Sequence, residues 1–179
     1  EAMPSPARKF LMAGKSGLNL TKAEKPEAFL QYFDAISSLK PILSEFGPDE
    51  VIGFAEGLGQ EVFTGSTGRV FPTRMKASPL LRAWLARLDA LGVVLLRRHR
   101  WVGPLTPHTQ HLFETPKGKV PLTAGALILA LGGASWARLG SDGAWQRISS
   151  SGQITSVLSR SKILSALATR LSGSLISNG

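Results

Sequence analysis

Two short runs of small and polar residues have the composition of a ligand-binding edge. One is Gly132-Gly133-Ala134, which ends the apolar run Leu127-Ile128-Leu129-Ala130-Leu131. Glycines lack a Cβ, so backbone at that point can approach a flat or phosphorylated ligand closely. The same pattern also suits a glycine turn after a buried strand in an α/β domain that binds nothing. The other run is Gly14-Lys15-Ser16-Gly17, with Asn19 and Thr21 close behind. Gly14-Lys15-Ser16 copies the end of a phosphate-binding P-loop, but that motif needs a glycine five residues before its Gly-Lys, and Lys9 stands there. ATP is therefore not the expected ligand, and a plain surface turn is the alternative.

Other chemistries are narrowed by what the chain contains. There is no cysteine, which excludes disulfides, thiolate metal sites and a cysteine nucleophile. Electron transfer would have to be carried by a bound cofactor. The histidines are His99, His108 and His111. They offer no helical-face pair for a metal, since Pro107 puts His108 in a loop. No Gly-x-Ser-x-Gly elbow is present.

The elements expected to position these residues alternate in type. Between Pro26 and Phe46 the apolar residues Phe29, Leu30, Phe33, Ile36, Leu39 and Leu43 recur at helical spacing, with Pro41 expected to bend or divide the segment. A second helix starts at Pro48 with Asp49 and Glu50 in its first turn and ends at Gly59. Short strands follow at Glu61 to Thr64 and Arg69 to Phe71, around the turn Gly65-Ser66-Thr67-Gly68. Ser78-Pro79 reads as the cap and first position of the clearest helix, whose face is Leu80, Leu81, Trp84, Leu85, Leu88 and Leu91. Strands are then expected at Val93 to Leu96, Trp101 to Leu105, His111 to Thr115 and Val120 to Leu122. Because it is apolar at every position, Leu127 to Leu131 is expected to be a central strand buried on both faces.

Three blocks carry a family resemblance. Arg8 to Thr21 is similar to "GRKLLISGGGRCNVTN" of the aminoacetone oxidase or BaiN-like bacterial flavoproteins, and closer still to their variant "RKFLLAGxGGLNLT". Gly68-Arg69-Val70-Phe71-Pro72 matches their "GRVFP" run, and Ala126 to Trp145 resembles their "ATGGxSYPxTGSTGDGY" block. The resemblance implies a glutathione reductase-type fold and an FAD-dependent oxidoreductase passing hydride or electrons between NAD(P)H, or a small organic substrate, and the flavin. It implies that Gly14 and Gly17 let backbone approach the isoalloxazine ring, that Asn19 and Thr21 hydrogen-bond flavin heteroatoms, and that Lys15 places positive charge beside it. It also implies that Gly132, Gly133 and Ala134 border the same flavin, and that Glu1 occupies the place of the acid that bonds the adenosine ribose.

The two ends depart from that family. No GxGxxG turn precedes the first block, and the Ser-rich stretch after Gln146 holds Arg147, Arg160, Lys162 and Arg170 but no acidic residue. The expectation is an α/β fold, present as an α+β fragment. Residues 1–146 would form a partial FAD-binding Rossmann-like domain with a small antiparallel β-layer and amphipathic helices. Residues 147–179 would form a divergent basic tail with a flexible Ser149 to Gly152 link. Such a fragment is expected to bind FAD weakly.

A net charge of +9 raises a competing class, a basic nucleic-acid-binding module. Arg97-Arg98-His99-Arg100-Trp101 is its one dense patch, but along a strand alternate side chains face opposite ways, which favours solvated edge charges. A silent structural remnant is the third class. Leu164, Leu167, Leu171 and Leu175 share one helical face that could lie on an anionic membrane or dock on its own domain. No apolar run approaches the roughly 18 residues of a membrane span and no leader pattern opens the chain, so a cytoplasmic protein is expected.

Overall fold

Turn chemistry and the burial of a few small residues decide most of the local structure. The computed structural model describes residues 1–32, 36–104, 110–131, 136–140 and 142–143. The chain divides into two compact units, Ala7–Leu95 and a second built from Glu1–Pro6 with Leu96–Gly179.

The unit Ala7–Leu95 runs α1 (Arg8–Ala13), β1 (Thr21–Lys22), α2 (Pro26–Leu30), α3 (Ile36–Leu43), α4 (Pro48–Gly57), β2 (Val62–Thr64), β3 (Arg69–Pro72) and α5 (Ala77–Ala90). Its strands form an antiparallel sheet in the order β1-β3-β2, with Thr21 opposite Val70 and Phe63 opposite Phe71. The β2–β3 hairpin closes because Gly68 adopts φ +77°, where its N–H donates to the Gly65 carbonyl at 2.9 Å. At the start of α4, Pro48 takes the first turn and the Glu50 carboxylate accepts the Gly47 N–H at 2.9 Å, satisfying a donor the helix cannot. Leu18, Ala55, Leu58, Ala77 and Leu80 make the core, with Phe10, Leu20, Phe54 and Val62 packed around it. Phe54 meets Trp84 of α5 edge to face at 5.3 Å.

In the other unit β4 (Arg100–Pro104), β5 (Gln110–Thr115) and β6 (Gly118–Thr123) form an antiparallel meander. A bulge lies between Trp101 and Gly103, and Gly103 has φ +146°. The β5–β6 turn is clasped by Thr115, whose hydroxyl donates to the Gly118 carbonyl at 2.8 Å and accepts the Lys117 N–H at 3.1 Å. His111 is the one buried polar residue among the described residues, and neither its Nδ1 nor the Trp101 Nε1 has a hydrogen-bond partner.

Amphipathic helices with small antiparallel sheets are the partial α/β class expected from the sequence. Four local expectations fail. Leu127–Leu131 is not a strand: no ladder forms along it, Ile128 is 59% exposed, and Leu131 and Ala130 are exposed too. A continuous apolar run signals two-sided burial only where strands flank it, and no described strand pairs with this one. Val93 to Leu96 is irregular and exposed, with Val94 at 79%, because it forms the connection between the two units rather than a sheet strand. Of the basic run that follows it, only Arg100 belongs to a strand, so Arg97, Arg98 and His99 are not edge-strand charges.

The fourth failure is at α5, which begins at Ala77 with extended Lys76 before it and no side-chain cap, so Ser78 lies inside the helix. Burial of Ala77 in the core, not capping by Ser78, fixes that start. Pro41 is held within α3 and does not end it. The tail helix face from Leu164 to Leu175 and the Ser149 to Gly152 link lie outside the described residues.

Candidate functional site

The Arg8 to Thr21 block is built on packing against α5. Helix α1 ends at Gly14, whose N–H donates to the Phe10 carbonyl at 3.1 Å. A Cβ at Gly14 would stand 2.5 Å from the Cβ of Ala77, so the residue lets α1 close onto α5. Gly17 has φ +152°, and a Cβ there would meet the Met75 methyl at 2.8 Å. From Leu18 the chain becomes strand-like. Leu18 N–H donates to the Met75 carbonyl at 3.2 Å and Leu20 N–H to that of Val70 at 2.9 Å.

This pairing has a consequence for side chains. Leu18 is buried and Leu20 half-buried, so Asn19 between them is exposed, as are Lys15 and Ser16 on the preceding turn. Lys15 makes no salt bridge among the described residues. Thr21, half-buried, opens β1 opposite Val70. The Gly68 to Pro72 block supplies β3, with Val70 and Pro72 fully buried and Arg69 exposed beside Lys22. Two of the three motif blocks, separated by more than a helix pair in sequence, are thus hydrogen-bonded neighbours.

Glu1 belongs to the other unit. Its carbonyl accepts the His99 N–H at 2.9 Å and one oxygen of its carboxylate accepts the Met3 N–H at 2.8 Å. Gly132, Gly133 and Ala134 lie outside the described residues. So the structure brings Gly14, Lys15, Gly17, Asn19 and Thr21 together on one loop and strand, with Glu1 in a separate unit.

The donor set can be compared with what a flavin presents. An exposed ammonium on Lys15, a carboxamide on Asn19 and a hydroxyl on Thr21 match the carbonyl oxygens and ring nitrogens of its polar edge. The two glycines serve differently: their missing Cβ atoms make room for Ala77 and Met75 inside the protein. Sequence reasoning missed these two residues. Their only signal is size and flexibility, a small residue and an unbranched thioether, and neither forms a motif with Gly14 or Gly17.

One charged cluster lies on β1. Lys22 ion-pairs with Glu24 and donates to the Tyr32 hydroxyl at 2.7 Å, its ammonium 4.9 Å from the ring centre. Hydrogen bonding to Glu24, then to Tyr32, holds the lysine above its ordinary pKa. Among the described residues no group of three or more His, Asp or Glu could hold a metal ion, and no helix is long and apolar enough to cross a membrane.

The family model described as HI0933-like protein Rossmann domain covers residues 1–159 of the 179. No curated protein matches the chain.

Proposed function

The chain belongs to the HI0933-like Rossmann-domain family, an FAD-binding family of flavoprotein oxidoreductase type, and on that footing we propose that its Arg8 to Thr21 block borders the flavin. Within the family we place it with the aminoacetone oxidase or BaiN-like flavoproteins, on the strength of the three motif blocks. In this reading the bound FAD supplies the redox chemistry, exchanging hydride or electrons with NAD(P)H or a small organic substrate in the cytoplasm.

The chain's own residues bind and orient. Lys15 brings positive charge to the electron-rich edge of the ring, Asn19 and Thr21 fix that edge by hydrogen bonds, and Gly14 and Gly17 keep the loop low against Ala77 and Met75. Gly132, Gly133 and Ala134 would approach the same ring by backbone, and Glu1 would bind the adenosine ribose. None of these side chains needs to act as a dedicated acid or base, which suits chemistry carried by the cofactor.

The observation that supports this best is the exposure of Lys15 and Asn19 on a loop whose backbone is pinned by Leu18 and Leu20. A ligand meeting that loop finds its polar groups already placed. The test is a titration of the purified chain with FAD followed by flavin fluorescence. Saturable quenching is expected, and Lys15→Gln should weaken it about fivefold, the worth of one exposed charged contact of about 1 kcal/mol. Quenching indifferent to Lys15 would remove this loop from the site.

A further inference from the structure

We propose that a cleft between the α4–β2 turn and the β3–α5 turn binds a small zwitterion of the free amino-acid class. The cleft has a volume of about 370 Å³, which lies within the range of small-molecule sites, roughly 300–1,000 Å³. Pro72 and Pro79 give it a stiff apolar lining, and Gln60, Glu61, Thr73 and Arg74 give it a polar one.

Its walls are tied together. The Thr73 N–H donates to the Glu61 carbonyl at 2.8 Å, the Gln60 N–H to that of Ala55 at 3.0 Å, and the Met75 N–H to that of Pro72 at 2.7 Å. Met75 is held at φ +57°, a left-handed conformation that costs energy for a residue with a side chain. The turn carrying Arg74 is therefore fixed by its neighbours on both sides.

The class of occupant follows from the charges. Glu61 and Arg74 line the same cleft, yet neither forms a salt bridge among the described residues. Opposite charges kept apart in one cleft complement a ligand that carries an ammonium and a carboxylate together. A simple anion would meet repulsion from Glu61, and a simple cation from Arg74. The Arg74 guanidinium offers a planar fork for a carboxylate, and the Thr73 hydroxyl can add a donor. Gln60 donates through Nε2 to the Leu58 carbonyl at 3.2 Å, so its amide oxygen remains to accept from an ammonium. None of these residues belongs to the loop assigned to the flavin, and the inference stands or falls without it.

The test is a titration of the full chain with L-alanine, with acetate and with methylammonium, read from the backbone amide resonances of Gln60, Thr73 and Arg74. L-alanine is expected to shift all three saturably and to bind about tenfold tighter than either half-ligand, because it alone meets both charges. Glu61→Gln and Arg74→Gln should each abolish that preference while leaving the melting temperature in place, both side chains being exposed. The double variant E61R/R74E keeps one charge of each sign in the cleft and should recover it. Acetate binding as tightly as L-alanine would mark a simple anion site and overturn the proposal. So would the absence of saturable shifts with millimolar L-alanine, or a double variant that stays without preference.

Discussion

Gly14 and Ala77 touch where no side chain can be added: a Cβ on the glycine would stand 2.5 Å from the alanine Cβ. Both atoms are fixed to helical or near-helical backbone, so neither can swing away. The contact sets how α1 and the loop after it lie against α5. Gly14→Ala is therefore expected to destabilise the protein by about 1–3 kcal/mol, as overpacking of a core does. Ala77→Gly in the same chain should return part of that loss, measured by urea unfolding. Additive losses in the double variant would show that the two residues do not share the contact.

The cap at α4 gives a second test. The Glu50 carboxylate accepts the Gly47 N–H at 2.9 Å and lies in the first turn, where the helix dipole favours negative charge. Glu50→Ala should cost about 0.5–1.5 kcal/mol of stability, with Glu50→Gln losing less because its amide oxygen still accepts. Equal stability of all three proteins in urea would mean that the cap contributes nothing.

The β2–β3 hairpin, the strands of the β4–β6 meander and helices α4 and α5 were legible in the sequence, whereas α1 and β1 were not read from it. The β2–β3 hairpin follows from Gly65 and Gly68, and α4 follows from Pro48, Asp49, Glu50 and Gly59, because each signal acts over a few residues. Val93 to Leu96 and Leu127 to Leu131 have strand composition, but a strand exists only when another pairs with it, and pairing is not written locally. Ser78 has cap chemistry, yet burial of Ala77 places the start of α5 earlier. At the site, the composition of Gly14 to Thr21 pointed to a loop of exposed polar groups, as found for Lys15 and Asn19. That the glycines face inward could not be read, since Ala77 and Met75 are remote in sequence.

A pH dependence follows from the Lys22 cluster. Glu24 and Tyr32 raise the folded-state pKa of Lys22 above the value of the unfolded chain. The stabilisation is therefore complete below the ordinary lysine value and is lost as pH rises through the raised one. Glu24→Gln should bring the Lys22 titration back toward the ordinary value, followed by NMR of its ε-methylene. It should also flatten the alkaline decline in stability. An unmoved Lys22 titration would show that the ion pair does not persist in solution.

The placement of the flavin against the Arg8 to Thr21 loop is tested most directly by mapping amide resonances of the chain as FAD is added. The account predicts saturable shifts centred on Lys15, Gly17, Asn19 and Thr21, reduced together in Lys15→Gln. Shifts confined to other segments, with these four amides still at saturating FAD, would contradict it.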